Sequence, residues 1–172
     1  MPDPGEKILV LDRGNVEFAF PGNWTVEPDA EGFLKLKDPE DKCVLEVSYL
    51  RLPPLSQNAP SVEELLVHVV RDAPGASSAI PVTVERGQVR IAWAAYEYEA
   101  EDTKGGPTRP ARARWLLARN QLFQVLMTFY FWPEDEAWAV VAWERFGESL
   151  QLGDGVPLRD PNQHWAVRGL PN

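Results

Sequence analysis

The chain has 172 residues, of which 44% are hydrophobic and 25% are charged, and its formal net charge is −9. This length and composition predict one globular domain that buries about two-thirds of its unfolded surface. The negative charge would repel the phosphates of nucleic acids and the surface of anionic membranes, so both classes of partner are excluded.

The lone cysteine and the N-terminal sequence bear on the cellular compartment. Cys43 cannot form an intrachain disulfide or a cysteine-based zinc site, and its apolar surroundings predict a buried, unreactive thiol. The first residues lack the basic start and the apolar run of a signal peptide, and no apolar stretch reaches the length of a membrane span. We therefore expect a soluble cytoplasmic protein, unless an export signal preceded Met1.

Two β-hairpins are predicted near the N-terminus. The strands Lys7–Leu11 and Val16–Phe20 flank a polar turn, and so do the strands Phe33–Lys37 and Cys43–Leu50. Between the hairpins, Pro21–Trp24 predicts a tight turn that directs an aromatic ring to the core.

A capped amphipathic helix is predicted over Ser61–Asp72. It begins with a serine followed three residues later by a glutamate, which is the pattern of a capping box, and its apolar residues fall on one stripe. The segments Thr83–Arg86 and Val89–Ala100 then read as a strand with a break or bulge at Gly87.

Three strands are predicted to form an antiparallel meander. Arg112–Arg119 and Leu122–Trp132 are separated by two residues only, and an exposed loop over Glu101–Pro110 connects them to Val89–Ala100. Both faces of this sheet carry apolar side chains, so both need a cover. One face is predicted to hold Ile91, Trp93, Leu116, Val125 and Met127, and the other Tyr96, Trp115, Leu117 and Leu126.

A second helix is predicted over Glu134–Leu150, where a proline and three acidic residues suit the first turn. With two helices for two sheet faces, we predict an α+β fold in which an antiparallel sheet is flanked by helices on both faces, an α/β/α sandwich. The single domain would span residues 1–172, with a core at about 7–152 and an extended C-terminal tail, 153–172, packed on it. The predicted anchors of the tail are Val156, Leu158, Trp165, Val167 and Leu170.

Two acidic residues of the predicted meander, Glu97 and Glu99, are the candidates for a functional site. The predicted register places Glu97 opposite Arg114 and Glu99 opposite Arg112, and each such pair contributes about 0.2–1 kcal/mol. These carboxylates are the only ones whose pattern could serve acid–base chemistry or a hard cation. The arginines neutralise them in this register.

The order of elements resembles that of the PsbP-like superfamily, which includes a photosystem extrinsic protein, a Ran-binding nuclear-import factor and uncharacterised bacterial proteins. The resemblance rests on an early strand, Phe18–Trp24, that reads Phe-Ala-Phe-Pro-Gly-Asn-Trp and is followed by hairpins, a capped helix, a meander and a closing helix. It implies an antiparallel sheet between helices, used for binding or assembly, with no shared catalytic motif. Bacterial members are often lipoproteins, but this sequence has no lipobox, so no role at a membrane surface is expected.

No recognisable catalytic motif occurs in the sequence. It lacks nucleotide-binding glycine loops and a Gly-x-Ser-x-Gly elbow, and its two histidines, His68 and His164, are isolated and expected at the surface. We expect no catalytic residues, no metal and no cofactor, and the residues that bind a ligand are not identified.

The leading functional hypothesis is a non-enzymatic binding or adaptor module that recognises a protein or a small ligand. One alternative is a dedicated chaperone or neutralising partner of a secreted effector. The other is a small-molecule enzyme with a carboxylate-based site around Glu97 and Glu99.

Overall fold

The computed structural model describes residues 5–54, 58–73, 75–76, 79–153 and 163–169. Within these ranges the fold is mixed α/β, with strands arranged in two antiparallel sheets and with two α-helices. Neither helix in the described ranges has the length and apolar character to cross a membrane.

A four-stranded sheet, here called the small sheet, contains both ends of the described chain. Its hairpin, β1 with β2, confirms the first predicted hairpin. The outer strands, β10 and β11, are not predicted from the sequence. In spatial order the strands are β10 (Gln151–Leu152), β2 (Val16–Pro21), β1 (Glu6–Leu11) and β11 (Trp165–Gly169).

The C-terminal tail contributes one strand of the small sheet. β11 pairs antiparallel with β1, so this part of the tail is held by a ladder of backbone hydrogen bonds. Of the predicted anchors, Trp165 packs against the core, whereas Val167 is exposed. The other three, Val156, Leu158 and Leu170, lie outside the described residues.

A seven-stranded sheet, here called the large sheet, contains the predicted meander and the second predicted hairpin. Both predictions are confirmed by the consecutive antiparallel pairing of the strands. In spatial order the strands are β3 (Thr25–Pro28), β4 (Leu34–Lys37), β5 (Cys43–Arg51), β9 (Phe123–Phe131), β8 (Thr108–Arg119), β7 (Val89–Glu101) and β6 (Val82–Arg86).

The expected break or bulge at Gly87 is in fact a tight turn. Arg86 pairs with Val89, so β6 folds back on β7 as a hairpin instead of continuing into it. Gly87 has a φ of +56°, a backbone conformation that glycine adopts without the steric cost of a Cβ atom. β6 thereby becomes one edge of the large sheet.

Both predicted helices are present, with slightly shorter bounds. α1 (Val62–Val70) begins with the expected capping box, in which the backbone N–H of Glu64 donates to Ser61 Oγ at 3.2 Å. The backbone N–H of Ser61 donates in return to Glu64 Oε2 at 2.8 Å. α2 (Glu136–Ser149) follows a 3-10 turn at Pro133–Asp135.

The two helices contribute to two separate hydrophobic clusters. α1 packs against β7 and β8, where alanines allow a close approach, and its cluster includes Ala92, Ala113 and Leu117. α2 packs against β2 and β9, so its cluster joins the helix to both sheets. Within it, the rings of Phe129 and Trp143 stack with their centroids 6.0 Å apart.

The expectation of one sheet is therefore wrong, because the small sheet shares the core with α2. Hairpin patterns show which residues are buried but not which sheet the hairpin joins. The inner side chains of β1 and β2, such as Leu9 and Phe18, are fully buried in the cluster that contains α2. Consequently α2 lies toward the β2 side and leaves the β6–β7 end of the large sheet less covered.

Candidate functional site

The structure places the acidic residues of β7 differently from the prediction. Glu97 lies opposite Arg112, and Glu99 lies opposite Pro110, so the predicted register is wrong by two residues. The reason is the position of the turn, where the backbone N–H of Gly106 donates to the carbonyl of Thr103 at 2.7 Å. Because a shift of two keeps each side chain on its face, the predicted face assignments remain correct.

Arg112 neutralises the acids around it. Its Nη2 lies 3.1 Å from Glu97 Oε1, and its Nη1 contacts the carboxylate of Glu136 at the start of α2. Glu97 and Glu99 are both exposed, which is not the desolvated setting that tunes a carboxyl group for acid–base catalysis. Within the described ranges, no three His, Cys, Asp or Glu side chains are grouped so that they could hold a metal ion.

Arg114 is the unusual cation of this face. It lies opposite Ala95, which offers no charge, and in the described part of the chain it has no ion pair and no hydrogen bond. Its guanidinium carbon is 5.8 Å from the ring centroid of Trp93 and 5.9 Å from that of Phe131. Both distances lie just within the limit of about 6 Å for cation–π contacts.

The electrostatic setting of Arg114 reflects partial burial. Loss of solvent lowers the pKa of the Arg114 guanidinium from its ordinary value, and attraction by Glu136 and Glu144 opposes this effect more weakly. An arginine remains protonated at neutral pH despite such a shift. The site therefore presents a fixed positive charge that is partly shielded from solvent and has no direct counter-ion among the described residues.

A cleft of about 300 Å³ lies beside Arg114, between α2 and the β6–β8 part of the large sheet. We call it the Arg114 cleft. Its walls are mostly apolar, and Trp143 on the helix faces the strand residues across it. It is lined by Val84, Arg86, Ile91, Trp93, Arg114, Leu116, Trp143, Glu144, Gly147 and Glu148.

Gly147 leaves the α2 side of the Arg114 cleft without a side chain at this position. A Cβ atom at this position would meet Leu116 Cδ1 at 3.7 Å, an ordinary contact distance, so the missing side chain leaves space and relieves no clash. Glycine inside a helix costs about 1 kcal/mol relative to alanine. This loss of helix stability occurs at the position where a larger side chain would narrow the cleft.

Arg86 closes one end of the Arg114 cleft. Its guanidinium donates to the carbonyls of Gly147 and Glu148, the latter at 2.6 Å, in the last turn of α2. These bonds attach the edge strand β6 to the helix and satisfy carbonyls that lack partners inside the helix. The guanidinium of Arg86 therefore has acceptors within the protein, whereas that of Arg114 has none among the described residues.

A second, more polar cleft of about 310 Å³ shares Arg114 with the first. It contains the Arg112 ion pairs with Glu97 and Glu136, and Phe131 also lines it. Arg114 therefore separates an apolar cleft from a charged one.

The remaining sequence predictions concern single residues. Cys43 is buried, as predicted, and burial raises the pKa of its thiol far above the ordinary value. His68 and His164 are both exposed, which confirms their predicted surface positions. The structure does not bring these three residues together.

The Arg114 cleft is not predicted from the sequence. The predicted register assigns Arg114 to an ion pair, and Thr83–Ala100 is predicted as one interrupted strand, whereas β6 and β7 form a hairpin whose residues line the cleft side by side. One signal is present in the sequence: beyond Arg112 on its strand face, Arg114 is followed by Leu116 and faces Phe129 on the neighbouring strand. A cation on a largely apolar face is an informative exception.

Comparison with known proteins identifies one family. The family model described as Alr1449 matches residues 7–156. The uncharacterised protein Alr1449 of Nostoc sp. is 32% identical over 165 residues, which cover 94% of this chain and 83% of that protein.

Solved structures share the fold at low sequence identity. The solution structure of cyanobacterial PsbP from Synechocystis superposes with a TM-score of 0.60 at 11% identity, covering 86% of this chain and 93% of that one. A Bacteroides thetaiotaomicron protein gives 0.58 at 13% identity over 94% of this chain, which spans only 51% of that protein's length. LpqN of Mycobacterium tuberculosis, involved in cell envelope biogenesis, gives 0.51 at 13% identity, covering 88% of this chain and 86% of that one. The predicted PsbP-like fold is confirmed.

Proposed function

We propose that this chain, which belongs to the Alr1449 family, is a non-enzymatic binding module that holds a small ligand in the Arg114 cleft. The observation that carries the proposal is Arg114 itself, a half-buried cation with no ion pair or hydrogen bond among the described residues. Removing a charge from water costs free energy unless a partner compensates it. The two ring contacts of Arg114 and the attraction of Glu136 and Glu144 compensate this cost in part, and a ligand that accepts hydrogen bonds from the guanidinium would compensate it more fully.

The proposed architecture of the module explains where the cleft lies. We propose an α/β/α sandwich in which α1 covers one face of the large sheet, and α2 with the small sheet covers the other. Because α2 packs toward β2 and β9, the second face is incompletely covered beside β6 and β7. A rigid sheet flanked by a helix is a favourable support for a preformed pocket.

The setting of the acidic residues supports the non-enzymatic part of the proposal. Glu97 is neutralised by Arg112, and Glu99 lies opposite Pro110 on an exposed part of β7. An enzyme built on these two residues would need a carboxyl group in a desolvated environment. The cleft instead presents tryptophan rings, Arg114 without a partner among the described residues, and Arg86 bonded to α2, which are features for recognition.

A fragment screen tests the proposed function. Saturation-transfer NMR with a library of neutral, anionic and cationic fragments should give hits on the wild-type protein that compete with one another. Gly147→Leu should abolish these hits, because the new side chain occupies the cleft next to Leu116. Val141→Leu is the matched control on the exposed side of α2 and should keep them.

Two results would overturn the proposal. One is a screen without competing hits on the wild-type protein. The other is a set of hits that bind Gly147→Leu as well as wild type. Urea unfolding of both variants verifies that any loss of binding arises in the cleft and not from a loss of folded protein.

A further inference from the structure

We infer that the Arg114 cleft selects a small monocarboxylate with a flat apolar body, an inference that rests on the proposed binding function. The carboxylate would contact the Arg114 guanidinium, and the apolar body would lie between the strand floor and α2. The shape, the charge and the surrounding acids of the cleft each constrain the ligand.

The apolar body follows from the walls. Trp93 and Trp143 contribute aromatic surface on the two sides of the cleft, and Ile91 and Leu116 form its floor. A volume of about 300 Å³ is at the lower end of the range for small-molecule sites. The cleft therefore fits a body of one or two rings, or a short aliphatic chain.

The carboxylate follows from Arg114. A guanidinium offers a planar pair of N–H donors that matches the two oxygens of a carboxylate. In the described part of the chain these donors have no acceptor, and the partial burial of the group strengthens its attraction for an anion. A neutral amide of the same shape offers one carbonyl oxygen and no charge, so it leaves one donor of the pair without an acceptor and the positive charge uncompensated, which weakens binding.

The restriction to a single negative charge follows from the nearby acids. Glu144 and Glu148 line the same cleft, and Glu136 lines the adjoining one. Their charges are compatible with one carboxylate that contacts Arg114 directly. A phosphate dianion would bring further negative charge toward them, in a protein whose net charge is already −9.

Calorimetry with three matched probes tests this inference. The probes are 2-naphthoate, 2-naphthamide and 2-naphthyl phosphate, which share a ring system and differ in charge. We expect 2-naphthoate to bind the wild-type protein at least about tenfold more tightly than either other probe, which corresponds to about 1.4 kcal/mol. Arg114→Gln should remove the preference over 2-naphthamide, which depends on the charge of Arg114. Arg114→Lys should keep part of it, because an ammonium retains the charge without the planar fork.

Arg90→Gln is the matched control. Arg90 lies on β7 of the same sheet, but its neighbours on that face, Ala92 and Ala94, belong to the cluster beneath α1. It also has an ion pair with Glu85 at 3.4 Å and does not line the cleft. This variant should bind 2-naphthoate as wild type does.

The outcomes separate this inference from the proposed function. If 2-naphthamide or 2-naphthyl phosphate binds as tightly as 2-naphthoate, or if Arg114→Gln keeps the preference over 2-naphthamide, the inference is wrong. The same holds if none of the probes binds. In each case, fragment hits that disappear in Gly147→Leu would still support a binding module. Loss of both results would remove both proposals.

Discussion

Arg114 lies directly opposite Ala95 across the β7–β8 ladder, and this pairing leaves its charge without an acidic neighbour on the facing strand. Two residues away on β8, Arg112 contacts both Glu97 and Glu136. The two arginines share a strand face but differ in their surroundings. Arg112 completes an exposed ion-pair cluster, whereas Arg114 is half-buried beside an apolar cleft.

Replacing Arg114 tests whether its charge serves stability. We expect Arg114→Met to leave the free energy of unfolding unchanged or to raise it by no more than about 1 kcal/mol, because it removes a desolvated charge and loses only distant cation–π contacts. Urea unfolding monitored by circular dichroism measures the effect. A loss of stability well above 1 kcal/mol would mean that Arg114 has a structural role.

Arg112→Met is the contrasting variant. It leaves Glu97 and Glu136 near each other without their common counter-charge. We expect a loss of up to about 1 kcal/mol, which is the usual scale for exposed ion pairs. Arg112→Met should therefore lower the free energy of unfolding, whereas Arg114→Met should not, despite their identical chemistry.

The meander and its two faces can be predicted because the types of side chain alternate strongly along β7, β8 and β9. A period of two fixes which side chains share a face, and this holds even when the register is shifted by two residues. The exact partners cannot be predicted in the same way, because they depend on where the turn at Thr103–Gly106 closes. The position of this turn therefore decides whether Arg114 lies opposite Glu97, as predicted, or opposite Ala95, as observed.

The second sheet and the cleft depend on contacts that are distant in the chain. β11 pairs with β1, from the opposite end of the sequence, and no local pattern indicates that partner. Gly87 reads equally well as a bulge or as a turn, and only the turn creates the edge strand β6. The candidate site depends on such long-range contacts and on the turn at Gly87, so residue patterns alone do not reveal it.

The core around α2 gives a direct test of the fold. Phe146 is fully buried between the sheets and lies edge-on to Phe129, with ring centroids 5.6 Å apart. We expect Phe146→Ala to lower the free energy of unfolding by about 3–5 kcal/mol, the range for large-to-small core changes. Val141→Ala, on the exposed side of the same helix, should change it by less than about 0.5 kcal/mol. Equal urea midpoints for the two variants would contradict the described packing.

The pairing of β11 with β1 can be tested by hydrogen exchange. Removing residues 163–172 deletes β11 and leaves one edge of β1 unpaired. In an antiparallel ladder alternate amides point to opposite neighbours, so only about half of the β1 amides should lose protection. The others, which bond to β2, should keep it. Uniform loss across Glu6–Leu11 would show that β1 leaves the sheet altogether, and no loss would show that β11 does not pair there.

A cluster of three tyrosines packs beside α1 and makes the free energy of unfolding depend on pH in the alkaline range. Its members are Tyr96, Tyr98 and Tyr130. Burial, reinforced by the neighbouring Tyr130, raises the pKa of Tyr98 to about 12, against an ordinary value of 10.0. Above pH 10 the unfolded chain loses this proton while the folded protein keeps it, so the free energy of unfolding falls as the pH rises from 10 toward 12. We expect Tyr98→Phe, which has no phenolic proton, to show a smaller fall in urea midpoint between pH 9 and pH 11 than wild type. Its midpoint near pH 8 should change little by comparison. Parallel pH profiles for the two proteins would show that Tyr98 ionises in the folded state as it does in the unfolded chain.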